Sequence, residues 1–142
     1  MDERFLNWIE YLDNKAALAN PFGGRSPSLD RLHLAQIVIG QAGDFHVSLN
    51  FAELPEPSPG RWAENGNDSV QLRLSFFDLN KLSISGAAHE GNLDVAASFG
   101  PDGQFKISSN QFNVELRYAY VSAALYPFNS AVFEEPKDWY RR

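Results

Sequence analysis

The histidines are the residues of this sequence best suited to acid–base chemistry, because the unperturbed pKa of imidazole lies near neutral pH. His33 and His46 stand in segments that alternate like strands, and His89 stands in a loop. A hydrolytic site also needs a nucleophile and a group that orients the base. The sequence contains no Gly-x-Ser-x-Gly, His-Glu-x-x-His, P-loop or Gly-x-Gly-x-x-Gly motif. Nothing in the pattern supplies a base with its orienter, so we predict that the protein is not an enzyme and has no catalytic residue.

Metal and cofactor chemistry have as little support in the sequence. Cysteine is absent, which excludes disulfides, thiolate catalysis and cysteine-ligated zinc. A hairpin that pairs Gly40 with Phe45 sets His33 and His46 roughly 20 Å apart along the ladder, at about 3.4 Å per residue. At that separation the two imidazoles cannot share a metal ion. We therefore predict no metal and no cofactor.

Carboxylates are the other chemically active groups, and several flank one proline-rich loop. The loop Leu54–Trp62 reads LPEPSPGRW, with Glu53 before it and Glu64 after it. Acid catalysis by a carboxylate pair needs burial that raises a pKa, and a loop position favours solvated carboxylates instead. A stiff acidic loop that ends in an aromatic residue suits contact with a protein partner. We predict a partner-binding site at Glu53, Glu56, Trp62 and Glu64, and a rigid connector without a binding role is the alternative.

Strands are the elements that must position this loop. Phe45–Phe51 before it and Val70–Phe76 after it alternate apolar with polar residues, the pattern of half-buried strands. A change of phase near Ala35 in the preceding run predicts a β-bulge. Further runs between turn signals bring the total to about seven strands. The predicted fold is mainly β (α+β), an antiparallel meander that is either rolled or folded into two layers.

One amphipathic helix is predicted at the N-terminus, where apolar residues recur at helical spacing until Pro21. The longest alternation, Phe112–Tyr120, predicts a strand whose tyrosines pack across the sheet. We predict a single domain over residues 1–142. Its helix occupies residues 1–20, its β core residues 29–126, and a C-terminal surface tail residues 127–142.

Composition and charge are typical of a folded, soluble domain. Of the 142 residues, 44% are hydrophobic and 21% are charged, close to globular averages. The net charge of −6 argues against nucleic-acid binding, which needs Lys and Arg for the phosphates. An acidic protein suits a basic partner, although moderate acidity also serves solubility alone. Without a basic, apolar leader or a run of about 18 apolar residues, we predict a cytoplasmic protein that does not contact a membrane.

Five segments together resemble the immunity protein 50 family of bacterial polymorphic toxin systems. The resemblance covers about residues 20–120, and it is most specific in the proline loop and in the strand that follows. The segments are Ser28–Ile37, Asp44–Phe51, Leu54–Pro59 with Trp62 after it, Ser69–Phe77 and Leu82–Gly86.

The resemblance implies a small cytoplasmic antidote that binds and blocks a cognate toxin domain from the same locus. Many such toxins are nucleases with basic clefts, which an acidic protein can obstruct through charge complementarity. Two other classes stay open. One is a small-molecule binder with an aromatic-lined cavity between the sheet and the N-terminal helix, and the other is a structural subunit of a larger assembly.

Overall fold

The computed structural model describes residues 8–19, 21–23, 25–86 and 94–129. These residues form one sheet of eight antiparallel strands and three short helical segments. The mainly β prediction is confirmed, with eight strands in place of about seven. The helical segments are a 3₁₀ turn Trp8–Tyr11, α1 Lys15–Ala19 and α2 Gly60–Glu64. The strands are β1 Leu32–Ile39, β2 Phe45–Phe51, β3 Ser69–Phe77, β4 Lys81–Gly86, β5 Asp94–Gly100, β6 Gln104–Ser108, β7 Phe112–Arg117 and β8 Tyr120–Phe128.

The sheet rolls on itself because its two end strands continue inner strands. The strand order is β4-β7-β6-β5-β1-β2-β3-β8, yet β4 follows β3 along the chain and β8 follows β7. Ala119 N–H donates to Phe77 O, and Asn80 N–H donates to Arg117 O. These bonds carry the β3–β8 ladder through a corner into the β4–β7 ladder. Two residue pairs join β1 to β5, so the rolled alternative is the observed one.

Phe76 on β3 lies at the centre of the core inside the roll. Its ring centroid is 4.6 Å from that of Phe105, 5.0 Å from that of Tyr118 and 6.3 Å from that of Phe99. Aromatic contacts of this kind stabilise a core beyond the area they bury. Burial raises the pKa of Tyr118 to about 12. Opposite walls of the roll therefore meet through aromatic rings.

The predicted helix over residues 1–20 is wrong in its described part. Residues 1–7 lie outside the described residues, and from there the chain forms the 3₁₀ turn and α1 with a break between them. The apolar side chains at helical spacing, Trp8, Ile9 and Leu12, are nevertheless buried. The spacing therefore identified core residues without identifying the backbone conformation.

Asp13 and Asn14 break the helix because they pair with the edge strand β8. Asp13 N–H donates to Val121 O, and Val121 N–H donates to Asp13 Oδ2 at 2.7 Å. Two residues further along β8, Asn14 Nδ2 donates to Ala123 O, and Asn14 Oδ1 accepts from Ala123 N–H. The exposed edge of a sheet otherwise offers unpaired backbone groups to other chains. Here four hydrogen bonds cover that edge.

The longest predicted strand is interrupted at Tyr118. β3 and β8 pair Phe77 with Tyr120, whereas β4 and β7 pair Lys81 with Arg117. Three residues separate these pairs on one chain segment and two on the other, so the inward alternation changes phase as it does at a bulge. Tyr120 is 56% exposed on the outer side of the sheet. The prediction that Tyr120 packs within the core stripe is therefore wrong.

The hairpin of β1 and β2 has the predicted bulge but a different register. The pairing shifts across Ala35, which confirms the bulge, while Val38 stands opposite His46 and His33 opposite Asn50. The predicted register is therefore wrong by one residue at the turn and by two beyond the bulge. The histidines lie four residues apart along the ladder, or about 14 Å at 3.4 Å per residue.

The remaining predictions concern a loop, the C-terminal end and membrane-spanning segments. The loop that carries His89 and most of the C-terminal tail, residues 130–142, lie outside the described residues. β8 continues to Phe128, two residues beyond the predicted end of the β core. No helix in the described ranges has the length and apolar character needed to cross a membrane.

Asn14→Ala is expected to lower the free energy of unfolding by about 1–2 kcal/mol, because it leaves one backbone donor and one acceptor of β8 without their partners. Urea denaturation of the purified protein measures this difference. Asn113→Ala, at an exposed position of β7, is the matched control and should change stability little. Equal stability of Asn14→Ala and the wild type would contradict the role of Asn14 at the edge.

Candidate functional site

The structure separates the four residues of the predicted partner-binding loop into two environments. Glu53, Glu56 and Glu64 are exposed. Trp62 lies on α2 and is only 6% exposed, with its ring edge-on to Phe22 at a centroid distance of 6.2 Å. The indole is therefore a core residue and not an exposed anchor. The assignment of the three glutamates to partner binding stays a prediction.

The loop is held against the turn that follows α1. A Cβ built on Gly23 would lie 3.1 Å from Pro57 Cγ, and Gly23 has a φ of +61°, which favours glycine. Phe22, beside it, is 1% exposed beneath the Trp62 ring. These contacts limit the positions that the loop can take. Its carboxylates therefore project from a supported backbone, which reduces the entropy that a partner must remove.

A second candidate surface covers the outer side of β2, β3 and β8, where side chains bond from strand to strand. Gln71 Nε2 donates to Asn50 Oδ1 at 2.9 Å. Arg73 Nε donates to Ser48 Oγ at 3.3 Å, and Ser48 is buried although it points away from the core. Side chains therefore pack closely on this outer surface, and its polar groups have fixed partners.

The same surface contains a hydrogen-bonded series of Asp44, His46 and Ser75. Asp44 Oδ2 lies 2.7 Å from His46 Nε2, and His46 Nδ1 lies 2.8 Å from Ser75 Oγ. Because the carboxylate only accepts, Nε2–H donates to it, and in the neutral ring Nδ1 accepts from the hydroxyl. The expectation that no base has an orienter is therefore wrong for His46.

This series orients side chains but lacks a further requirement for acyl transfer. Ser75 stands in the middle of β3, paired with His46 on one side and Ser122 on the other. The backbone N–H groups around it are engaged in the two ladders. Acyl transfer needs free donors that point at the developing oxyanion. We therefore interpret the series as a tie between the β1–β2 hairpin and β3.

Asp44 is the fixed end of this tie. A Cβ built on Gly40 would overlap the Asp44 carboxylate, so a larger residue there would displace this side chain from its present position. Hydrogen bonding from His46 holds the pKa of Asp44 below its ordinary value of 3.8, and backbone N–H groups contribute. Since the pKa is lowered in the folded protein, this stabilisation is present above the ordinary value. It is lost as the pH falls through the lowered pKa.

Aromatic side chains lie beside these polar groups and remain accessible. Phe77 contacts the His46 ring edge-on at 6.0 Å and stands opposite Tyr120 across the strands. Arg73 lies 5.8 Å from the centre of the Tyr126 ring. Phe77, Tyr120 and Tyr126 are 39%, 56% and 50% exposed. Val38 stands opposite His46 and is also exposed. We call the surface formed by Val38, Arg73, Phe77, Tyr120 and Tyr126 the outer aromatic face.

Sequence reasoning missed this surface for two separate reasons. Asp44 and His46 are two residues apart in a strand-like segment, a spacing that places them on one side of the sheet, so this pair was detectable. Ser75 joins them only through the register of β2 with β3. Tyr120 belongs to the same alternating run as Tyr118 in the sequence, and the change of phase between them has no marker there.

Metal binding gains no support from the described part of the chain. Within it, no group of three or more His, Asp or Glu side chains is arranged to hold an ion. On the outer surface, His46 and Asp44 are joined by a hydrogen bond, and Ser75 bonds the other imidazole nitrogen. Both imidazole nitrogens of His46 are therefore engaged in hydrogen bonds.

His46→Leu is expected to raise the pKa of Asp44 toward its ordinary value, because the main donor to the carboxylate is lost. Titration of the Asp44 carboxyl carbon by ¹³C NMR measures the midpoint in both proteins. His33→Leu removes an imidazole that is not bonded to Asp44 and should leave that midpoint where it is. A midpoint unchanged by His46→Leu would show that the tie does not exist in solution.

Comparison with known proteins gives one match. Residues 14–123, more than half of the chain, match the family described as immunity protein 50. No curated protein and no solved structure matches the chain. The matched range begins at Asn14 and ends at Ala123, the residue of β8 whose backbone bonds the Asn14 side chain. It includes the proline loop and most of the outer aromatic face. The chain belongs to the immunity protein 50 family.

Proposed function

We propose that this protein binds a cognate polymorphic toxin domain and neutralises it by blocking the active site of the toxin. Membership of the immunity protein 50 family supports the class of function. The toxin would be encoded at the same locus, and the encounter would take place in the bacterial cytoplasm. On this proposal the protein has no catalytic activity of its own and needs no cofactor.

The outer aromatic face is the observation that carries the proposal. Tyrosine and arginine are enriched in the energetically dominant parts of protein interfaces. Phe77 and Arg73 are held by contacts with His46 and Ser48 before any partner arrives. Groups held in this way lose little freedom on binding, so more of the contact energy appears as affinity. Along β8, Tyr120 and Tyr126 are six residues apart, a span of about 20 Å at 3.4 Å per residue.

The acidic loop lies at one end of this face and supplies its charge. β2 leaves the sheet after the Asn50–Gln71 pair, next to Tyr126, and enters the loop of Glu53. Three exposed carboxylates there suit a basic surface, and the whole protein carries a net charge of −6. A nuclease has such a surface where it holds phosphates, so we propose a nuclease as the target and the loop as the part that approaches its cleft.

A small-molecule binder is the second candidate, and one cavity favours it. A cavity of about 360 Å³ between the 3₁₀ turn and β5 is lined by Trp8, Tyr11 and Phe99 among others. Both Trp8 and Tyr11 stack on Phe99, and Trp8 Nε1 already donates to Pro27 O at 2.7 Å. The aromatic walls thus contact one another, and the indole has a partner within the protein. We rank this function below toxin binding.

The paired change Tyr120→Ala and Tyr126→Ala is expected to weaken capture of the toxin domain at least about tenfold, since central aromatic contacts are worth more than about 1.4 kcal/mol. Isothermal titration calorimetry with the purified domain measures the affinity. Ile39→Ala removes another exposed apolar side chain, 59% accessible and on the opposite side of β1, and should change affinity little. Unchanged affinity of the folded double variant would exclude the outer aromatic face as the binding surface.

The triple change Glu53→Gln, Glu56→Gln and Glu64→Gln tests the loop separately. We expect weaker binding and a smaller loss of affinity with added salt, because three charges that attract a basic cleft are removed. Stability should hardly change, since the carboxylates are exposed. If the salt dependence matched that of the wild type, the loop would not face the toxin, and the outer aromatic face would remain as the site.

A further inference from the structure

Two cations face each other just beyond the corner of the roll. Lys81 begins β4 and Arg117 ends β7, and the two residues are directly paired across the strands. Both residues are exposed. They lie on the outer side of the sheet, because Leu116, the neighbour of Arg117 on β7, is buried. Like charges in directly opposed positions destabilise a sheet. We call Lys81 and Arg117 the cationic pair.

No carboxylate among the described residues forms an ion pair with Lys81 or Arg117. The nearest carboxylate along β7 is Glu115, and it is engaged by Lys106 at 3.3 Å. On the other side of Arg117 stands Gln104, which carries no charge. In a protein of net charge −6, two adjacent cations of the sheet thus have no ion-pair partner in the described part of the chain. A local rule broken without compensation often marks a position retained for function.

The cationic pair borders a small surface hollow. The hollow has a volume of about 200 Å³, which is the size of a side chain rather than that of a cofactor. The hollow is lined by Lys81, Gln104, Phe105, Lys106, Glu115, Leu116 and Arg117.

We infer that this hollow receives an acidic side chain of the toxin domain. The inference rests on the proposed function and deepens it. A carboxylate fits the planar guanidinium of Arg117 through two parallel hydrogen bonds, and the ammonium of Lys81 adds a point charge. Once bound, the carboxylate also removes the repulsion between the two cations. The free protein thus carries a cost that binding relieves.

The position of the cationic pair connects it to the outer aromatic face. Lys81 follows Phe77 by four residues and Arg117 precedes Tyr120 by three, so chain geometry limits these separations to about 14 Å and 11 Å between Cα atoms. The acidic loop lies at the far end of the face, beyond Tyr126. The surface therefore runs from acidic through aromatic to cationic. A partner with the complementary order binds in one orientation only, because the reversed order places like charges together.

The double change Lys81→Gln and Arg117→Gln tests the inference through two readouts. We expect at least about tenfold weaker binding of the toxin domain, with a melting temperature of the free protein equal to or above that of the wild type. The melting temperature rises because the repulsion across β4 and β7 is removed. A structural role predicts the reverse, a lower melting temperature with unchanged affinity, and that result would overturn the inference.

The control is the double change Arg25→Gln and Arg31→Gln, which alters net charge equally at exposed positions outside the sheet. It should leave affinity close to that of the wild type.

If the wild type fails to bind the toxin domain, the proposed function fails. If the wild type binds and the Lys81, Arg117 variant binds equally well, only this inference fails. A single-stranded oligonucleotide that binds the wild type and not the variant would also overturn it, because the hollow would then take phosphate.

Discussion

The one-residue difference at the corner between the two long ladders determines which side chains of β8 face solvent. Three residues after Phe77 oppose two residues after Arg117, and Asp78 takes a φ of 55° within the corner. Gly103 has a positive φ and no side chain, so Tyr118 N–H can donate to its carbonyl at 3.0 Å. The corner keeps Tyr118 in the core, turns Tyr120 outward and joins the two halves of the roll.

Alternation in the sequence identified the buried side of β3 and β7, whereas Leu82 and Ile84 alternate on β4 and are exposed. The phase change at Ala35 has the physical signature of a bulge, and the structure has the bulge there. The helical spacing of apolar residues did not predict the break in the helix at Asp13 and Asn14. Their hydrogen bonds to β8 connect residues more than a hundred positions apart. No local pattern encodes such a contact. The same limit explains Trp62, whose burial depends on Phe22.

The candidate site was predictable in part. The sequence predicted an acidic proline loop, and its Glu53, Glu56 and Glu64 are exposed. The outer aromatic face and the cationic pair each depend on which residues are opposed across strands, and register is set by the whole sheet. Family membership supports the class of function. The binding surface is proposed from the exposure, the charge and the hydrogen bonds of its side chains.

We propose that the toxin domain covers the outer side of β3 and β8 from the acidic loop to the corner. Amide chemical-shift mapping of the ¹⁵N-labelled protein with and without the unlabelled toxin domain tests it most directly. We expect the largest changes at residues 71–81 and 117–126, with smaller changes at residues 53–64. Changes confined to β5 and β6, on the other wall of the roll, would contradict it.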